Sequence, residues 1–299
     1  MAVIVAAMSW SWQEAEVDPL TGAVRADPHD RGPSPSDFAA LEHALRLAQW
    51  RDAVVVATTV GPGAADSMLR EALAAGAAEA LRIEPAGRSS GPRPADLVGG
   101  GQDFAAALAA ALRQRYGVPD LVLCGDRSAD RGTSSFPAFL AAALDAAQVL
   151  GVTSMEPEGD GGLRVQRRLD GGRREVLRVR WPAVVSVEAA GVRLRRAALP
   201  ATMASADAAI AVVRMPANNA ARRIPVLGAR PYRPRPGDLP VPSGPALRRT
   251  LELTGALIER TPPTVLGPLS PDQAADELLG YLRRHGYLPA GGSANAAGP

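Results

Sequence analysis

Short apolar runs alternate with helical patterns over the first 150 residues of the chain. Four apolar runs predict buried strands, at residues 3–7, 53–58, 80–83 and 120–124. Apolar residues at helical spacing predict helices over 38–49, 64–75, 103–116 and 136–144, the first capped by Ser36 or Asp37. Continuous apolar strands that alternate with helices are typical of a parallel sheet covered on both faces.

The pattern changes after residue 150. Runs at 163–169 and 175–179 flank Asp170-Gly171-Gly172, which predicts a β-hairpin, and 183–187 predicts a further strand. Residues 215–245 are rich in proline and lack periodicity, which indicates an extended arm. Helical patterns follow at 246–259 and 271–284, before a small-residue tail at 291–299 that we expect to be disordered. The predicted fold is α/β, a Rossmann-like parallel sheet with an added β-hairpin and a C-terminal extended arm with helices.

Charge is distributed unevenly along the 299 residues. The first 160 residues hold 12 arginines against 21 acidic residues, and the rest hold 21 arginines against 10 acidic residues. The overall formal net charge is only +2. This balance excludes the dense positive field of a dedicated nucleic-acid binder, whereas the asymmetry indicates a binding surface in the second half.

Cysteine content and hydropathy limit the cellular compartments in which the protein can be expected. A single cysteine, Cys124, excludes an internal disulfide framework and favours a reducing compartment. The sequence has no apolar run of 18 residues, and its first residues lack the basic region of a signal peptide. We therefore expect a cytoplasmic protein without direct membrane insertion.

A glycine-rich turn follows the second predicted strand. Gly61-Pro62-Gly63 precedes a helix and imitates a dinucleotide-binding fingerprint. The third glycine is missing, and no acidic residue ends the next strand at the required distance. A turn followed by a helix start is therefore the favoured interpretation.

A polar loop follows the fourth predicted strand. The strand ends at Gly125, and Gly132-Thr133-Ser134-Ser135 then opens a helix. Free backbone N–H groups at a helix start, flanked by three hydroxyls, can bind an anion such as phosphate. Simple helix capping by the same hydroxyls is an equally good interpretation of these residues.

Catalytic patterns are absent from the sequence. The three histidines, His29, His43 and His285, do not have metal-ligand spacing, and one cysteine cannot build a thiolate metal site. Cys124, at a strand end, is best interpreted as a small core residue. The arginines of 164–180 alternate along the predicted hairpin without interleaved aromatics, which favours a solvated sheet face over an RNA platform. We expect no catalytic residue and no metal.

Several strings, in a fixed order, carry a family resemblance. They are Ser34-Pro35-Ser36-Asp37, Thr59-Val60-Gly61-Pro62, Pro119-Asp120-Leu121 through Gly125, Trp181-Pro182-Ala183, and Ala198-Leu199-Pro200-Ala201-Thr202-Met203. Together they resemble the beta subunit of electron transfer flavoproteins over roughly residues 1–215. Residues 271–285 also resemble the terminal helix of that family.

The resemblance implies a non-catalytic subunit that forms a heterodimer with an alpha subunit. The alpha subunit holds most of the FAD, and the beta subunit binds AMP as a structural ligand. The residues that would bind the cofactor are Ala6, Ser34, Pro35, Ser36, Asp37, Val60, Gly125, Asp130, Thr133, Ser134 and Ser135, with the phosphate on the last three. Leu199, Pro200 and Met203 would dock a dehydrogenase electron donor, and a quinone oxidoreductase or another redox acceptor would receive the electrons.

The same resemblance implies a domain plan. Residues 1–215 would form the nucleotide-binding domain with the hairpin and the recognition loop, and 216–290 would wrap the partner subunit ahead of the tail at 291–299. The lysine run of the family's recognition loop is replaced by Ala204-Ser205-Ala206-Asp207-Ala208. This departure, with the lysine-free composition, resembles the beta-like subunits associated with mycofactocin redox systems.

Three alternatives stay open from the sequence. One is a subunit of the bifurcating type, with a second FAD in place of AMP. Another is a stand-alone ATP- or AMP-binding protein on the same fold, either a stress-type sensor or an adenylating enzyme. The third is a structural scaffold without a nucleotide.

Overall fold

The computed structural model describes residues 2–14, 16–25, 27, 29–85, 100–129, 132–159, 161–215, 243–256 and 264–288. The chain divides into two compact units, Met1–Arg233 and Pro234–Pro299. Most of the predicted arm and the whole predicted tail lie outside the described residues, as does Asp130.

A nine-stranded sheet forms the centre of the first unit. Its strands are β1 (Val3–Ala7), β6 (Val54–Val60), β7 (Glu79–Pro85), β8 (Leu121–Gly125), β9 (Ala147–Pro157), β10 (Leu163–Arg168), β11 (Arg174–Val179), β12 (Ala183–Val187) and β13 (Ala211–Met215). Their order is β11-β10-β9-β12-β8-β1-β6-β7-β13. Seven neighbouring strands of this sheet are parallel to one another: β9, β12, β8, β1, β6, β7 and β13. At one edge β10 and β11 form a hairpin and pair in antiparallel fashion. The predicted α/β fold with a parallel sheet and a hairpin is confirmed.

Two short antiparallel ribbons lie between β1 and the first helix. One pairs β2 (Ser11–Trp12) with β5 (Arg31–Gly32), and the other pairs β3 (Glu16–Val17) with β4 (Val24–Arg25). Two-residue strands carry too little periodicity to be predicted, and the sequence reading did not include them.

Helices cover both faces of the sheet. The first unit contains α1 (Pro35–Arg51), α2 (Asp66–Ala75), α3 (Gly100–Tyr116), α4 (Phe136–Leu144) and α5 (Leu199–Ala206), and the second contains α6 (Ala246–Leu253) and α7 (Pro271–Arg284). Side chains of α1 and α2 pack on one face of the sheet, and those of α3 and α4 pack on the other. Alanines such as Ala40 and Ala44 are fully buried, so the helices pack closely against the strands.

The start of α1 differs from the prediction. Ser34, not Ser36 or Asp37, is the N-cap: its backbone is extended, its side chain accepts a hydrogen bond from the backbone N of Asp37, and Pro35 occupies the first helical turn. Asp37 is the third helical residue, and its carboxylate accepts from the backbone N of Ser34, which completes a capping box. The fixed φ of proline suits the first turn of a helix, which moves the cap back to Ser34.

Two strands and one helix end also differ from the prediction. β9 was missed because its eleven residues mix exposed and buried positions around Gly151. β13 was missed because five residues at the sheet edge give too short an alternation. The helix predicted over 246–259 ends at Leu253, since Gly255 adopts a left-handed φ of 69°.

Candidate functional site

The order in which the strands are added to the sheet reverses at β1. From β1 the chain passes through α1 and α2 to β6 and β7 on one side, and α3 then carries it back to β8, on the other side of β1. The loops that follow β1 and β8 therefore diverge, one toward each face of the sheet. Such a switch point, at the carboxyl ends of parallel strands, is where open α/β sheets bind ligands. We call this place the switch-point crevice.

The N-terminus of α1 forms one wall of the switch-point crevice. The carboxylate of Asp37 is buried and accepts hydrogen bonds from the backbone N of Ser34 at 2.9 Å, from Ser34 Oγ at 2.8 Å and from Ser9 Oγ at 2.8 Å. Ser9 belongs to the loop after β1. The carboxylate thus joins the start of α1 to the end of β1.

Gly125, the last residue of β8, lies against the same helix start. A Cβ on this glycine would meet Ser36 Oγ at 2.7 Å and Asp37 Oδ1 at 3.0 Å. Only a residue without a side chain lets the two backbones approach so closely. The structure therefore brings four predicted site residues together: Ser34, Ser36, Asp37 and Gly125. Pro35 lies between them in the first turn of α1.

Burial raises the pKa of Asp37, against hydrogen bonds from Ser34 and Ser9 that favour its charged form. Cys124, one residue before Gly125, is also buried. Its pKa is raised by burial first and then by the charges of Asp37 and Asp126. The carboxylates of Asp37 and Asp126 therefore lie at this end of the switch-point crevice. Because carboxylates accept hydrogen bonds and repel anions, this end suits the hydroxyl and amino donors of a ligand better than its phosphate.

The start of α4 offers a different chemistry. Ser135 is the N-cap residue, but its side chain makes no capping hydrogen bond. A turn precedes it, in which Ser128 N donates to the carbonyl of Thr133 at 3.0 Å and Gly132 has a φ of 62°. The side chains of Thr133 and Ser134 are exposed. The side chain of Ser135 therefore does not cap α4, and the exposed hydroxyls of Thr133 and Ser134 are open to a ligand such as an anion.

Ala6 and Val60 are the predicted site residues that belong to the strands β1 and β6. Ala6 is fully buried in the middle of the sheet, where it pairs with Ala57 and Leu123 and packs on the α1 side. Val60 ends β6 and packs on the α3 side. Both lie on strands that end at the edge carrying the crevice, and neither shows a polar function.

Buried polar atoms near the crevice were missed in the sequence reading. Thr58 and Thr59 are buried at the end of β6, and neither Oγ1 has a hydrogen-bond partner in the described part of the chain. The indole Nε1 of Trp10, after β1, is likewise buried without a partner there. Unpaired buried polar groups are costly, which favours a ligand or water beside them. A polar residue directly after an apolar strand was the available signal, as it is for Ser9.

The turn at residues 61–63 belongs to the start of α2. A short 3₁₀ turn over Gly63–Ala65 leads into the helix, as the favoured interpretation predicted. Arg82 Nε, from β7, donates to Asp66 Oδ1 at 2.7 Å in the first turn of α2. A basic side chain of the protein thus already binds this helix start.

The predicted docking residues lie on a helix. Leu199 and Met203 are 72% and 69% exposed, one turn apart on α5, and Pro200 lies in the first turn of the helix. The sequence reading placed them on a recognition loop. Pro200 near the start, followed by small residues, favours a helix instead. The two exposed apolar side chains form one surface.

The arginines of the hairpin pair with acids. Arg178 Nε contacts Glu158 at 2.6 Å, and Arg168 contacts Glu188 at 3.1 Å. Among the described residues, no three His, Cys, Asp or Glu side chains gather in a way that could hold a metal ion. In the same part of the chain, no helix has the length and the apolar character needed to cross a membrane.

Comparison with known proteins decides the family. A family model described as "Electron transfer flavoprotein domain" matches residues 23–218. The chain belongs to the electron transfer flavoprotein beta family. It is 31% identical to electron transfer flavoprotein subunit beta of Chromohalobacter salexigens, over 89% of this chain and 90% of that protein.

Two further relatives widen the comparison. The chain is 28% identical to "Protein FixA" of Rhizobium meliloti, over 74% of this chain and 77% of that protein. It is 32% identical to electron transfer flavoprotein subunit beta of Homo sapiens, over 58% of this chain and 65% of that protein. The chain is thus an electron transfer flavoprotein subunit, and the helix start at residues 34–37 and Gly125 lie within the matched residues.

Proposed function

We propose that this chain is the beta subunit of a heterodimeric electron transfer flavoprotein and that its switch-point crevice binds AMP as a structural ligand. An alpha subunit would hold the FAD, which accepts electrons from a dehydrogenase and passes them to an acceptor such as a quinone oxidoreductase. This chain would bind the nucleotide, support the alpha subunit and present a docking surface.

The observation that carries the AMP proposal is the contact between Gly125 and the start of α1. It places Asp37, with its three hydrogen-bond donors, at the mouth of the switch point. Carboxylate and hydroxyl oxygens there suit the hydroxyl and amino groups of an adenosine. Asp37 and Asp126 would repel a phosphate, so the phosphate would bind at the start of α4, on Thr133, Ser134 and Ser135.

The unpaired atoms beside the crevice support the same proposal. Thr59 Oγ1 and Trp10 Nε1 lie on the α1 side of the sheet, and no described residue bonds them. Thr58, one residue earlier in the strand, faces the α3 side. An adenine nucleotide carries complementary groups on its base and its ribose. A bound nucleotide would satisfy polar atoms that are otherwise costly to bury.

The second unit supports the proposal of an alpha partner. Its described residues expose large apolar side chains on both helices and around them, among them Leu247, Leu253, Leu278 and Tyr287. Exposed apolar side chains in such number are typical of a surface that another chain covers. A partner that covers these side chains would remove them from water.

Co-expression with an alpha-type subunit tests this assignment. We expect a yellow 1:1 complex in sedimentation, because the flavin stays with the pair. Leu278→Arg should weaken the complex. Leu199→Arg, at a leucine that is also exposed but that we assign to the contact with the electron donor, should leave the complex intact. A colourless mixture that sediments as two separate species would overturn the proposal.

A further inference from the structure

Glu42, on the second turn of α1, holds a distant arginine. Its carboxylate accepts hydrogen bonds from the backbone N of Arg195 at 3.1 Å, from Arg195 Nε at 3.0 Å and from Arg195 NH2 at 3.2 Å. Arg46 Nε, one turn along α1, adds a bond at 2.7 Å. Glu42 is only 3% exposed. A carboxylate buried this deeply is tolerated only when cations and hydrogen bonds satisfy it.

Arg195 lies in the segment that connects β12 to α5. Residues 189–198 of this segment have no regular helix or strand. A cavity of about 930 Å³ lies between the segment and α2, lined among others by Phe38, Arg70 and Leu194. Val192 and Leu194 of the segment pack against the hydrophobic core. The three hydrogen bonds from Arg195 to Glu42 add a polar connection from the segment to α1.

The helix α5 begins four residues after Arg195. Its exposed side chains Leu199 and Met203 point away from the body of the unit. α5 packs against α2, and the direction of its apolar surface also depends on where the preceding segment is fixed. A charged pair with three hydrogen bonds fixes both distance and orientation, since the guanidinium is planar and rigid.

We infer that the Glu42–Arg195 ion pair positions α5 and so fixes the direction in which Leu199 and Met203 are presented to a partner protein. Arg195 and Glu42 act through the segment and the helix that follows it, as positioning residues. The identity of the partner as an electron donor rests on the proposed function. The positioning of α5 by the ion pair does not.

Distances between two spin labels test the inference in the full-length protein. Labels are placed on Met203→Cys, in α5, and on Gln114→Cys, an exposed residue of α3. Native Cys124 is buried and stays unlabelled. We expect a narrow distance distribution in this background and a width at least roughly doubled in Glu42→Gln and in Arg195→Gln. Arg195→Lys should recover part of the narrow distribution, because it restores the charge but not the fork of donors.

Arg196→Gln is the matched control. It removes the same charge from the same segment, and Arg196 forms no ion pair within the described part of the chain. Its distribution should stay narrow. Equal widths in Glu42→Gln and the background, with both proteins folded by circular dichroism, would overturn the inference, as would equal broadening by Arg196→Gln. If Glu42→Gln does not fold, the Arg195 variants carry the test. None of these outcomes depends on AMP or on an alpha subunit.

Discussion

Gly125 at the end of β8 lies in direct contact with Ser36 at the start of α1. A Cβ on Gly125 would be 2.7 Å from Ser36 Oγ and 3.3 Å from the backbone N of Asp37. The serine hydroxyl is itself held by Ser34 Oγ at 3.0 Å. The helix start and the strand end thus form one closely packed wall of the switch-point crevice.

Replacing Gly125 with a larger residue should push the end of β8 away from the start of α1. Gly125→Ala introduces a clash with buried neighbours, so we expect the free energy of unfolding to fall by about 1–3 kcal/mol. Urea denaturation followed by tryptophan fluorescence measures it, because all four tryptophans lie in the first unit. Gly32→Ala is the control, since a Cβ there meets nothing within 4 Å. Equal losses in the two variants would show that the close contact is not the cause.

The capping box of α1 should stabilise the first unit. Ser34→Ala removes the cap of Asp37 N and one bond to the buried carboxylate, so we expect a loss of about 1–2 kcal/mol. Ser270→Ala removes the equivalent cap of α7 in the second unit. In the same fluorescence assay, that control should leave the first unit unchanged. A Ser34→Ala protein as stable as the parent would contradict the role assigned to this cap.

His43 should make the protein acid-sensitive. Burial first, and then the charge of Arg46, lowers the pKa of His43 to about 4, from an ordinary value near 6.5 in the unfolded chain. Between pH 6.5 and about pH 4, His43 is protonated in the unfolded chain but stays neutral in the folded protein. The stability is therefore present above pH 6.5 and falls as the pH drops toward 4, by about 3 kcal/mol from this group.

The variant His43→Leu isolates that effect. Between pH 6.5 and 4, the free energy of unfolding of this variant should vary less with pH than that of the parent, because the variant has no histidine at this position to be protonated on unfolding. Urea titrations at pH 7.5, 5.5 and 4.5 measure it. Parallel pH profiles for parent and variant would contradict a buried neutral histidine.

Cys124 should be inert in the folded protein. It is 2% exposed, and burial together with the charges of Asp37 and Asp126 raises the pKa of its thiol. Ellman's reagent should react with it at least roughly a hundred times more slowly in native protein than in urea. A rate in buffer close to the rate in urea would show that the crevice is open to solvent at this point.

Much of the fold follows from local pattern. The strands β1, β8 and β12 and the helix α4 are continuous apolar runs or strongly periodic segments, and they lie where the sequence predicts them. β9 was not predicted, because nearly half of its residues are exposed. Its buried residues are covered through pairing with β10, and this pairing cannot be recognised from the residues of β9 alone.

The site was predictable only in part. The family resemblance indicated Ser34, Ser36, Asp37 and Gly125 as site residues. The local pattern placed Ser36 and Asp37 at a helix start, although the N-cap is Ser34. The partnership of Glu42 with Arg195 joins residues 153 positions apart, and no periodicity relates them. That the buried hydroxyls of Thr58 and Thr59 have no hydrogen-bond partner in the described residues depends on the tertiary structure, and no sequence pattern indicates it.

The nucleotide released on denaturation tests the central claim most directly. Mass spectrometry of the denatured, co-purified complex should find about one AMP per chain of this protein and one FAD per heterodimer. Gly125→Ala should retain markedly less AMP, and Gly32→Ala should retain as much as the parent. Two FAD and no AMP would indicate a second flavin in the crevice, and ATP would indicate a stand-alone nucleotide-binding protein. Either result, or no nucleotide at all, would contradict the AMP site.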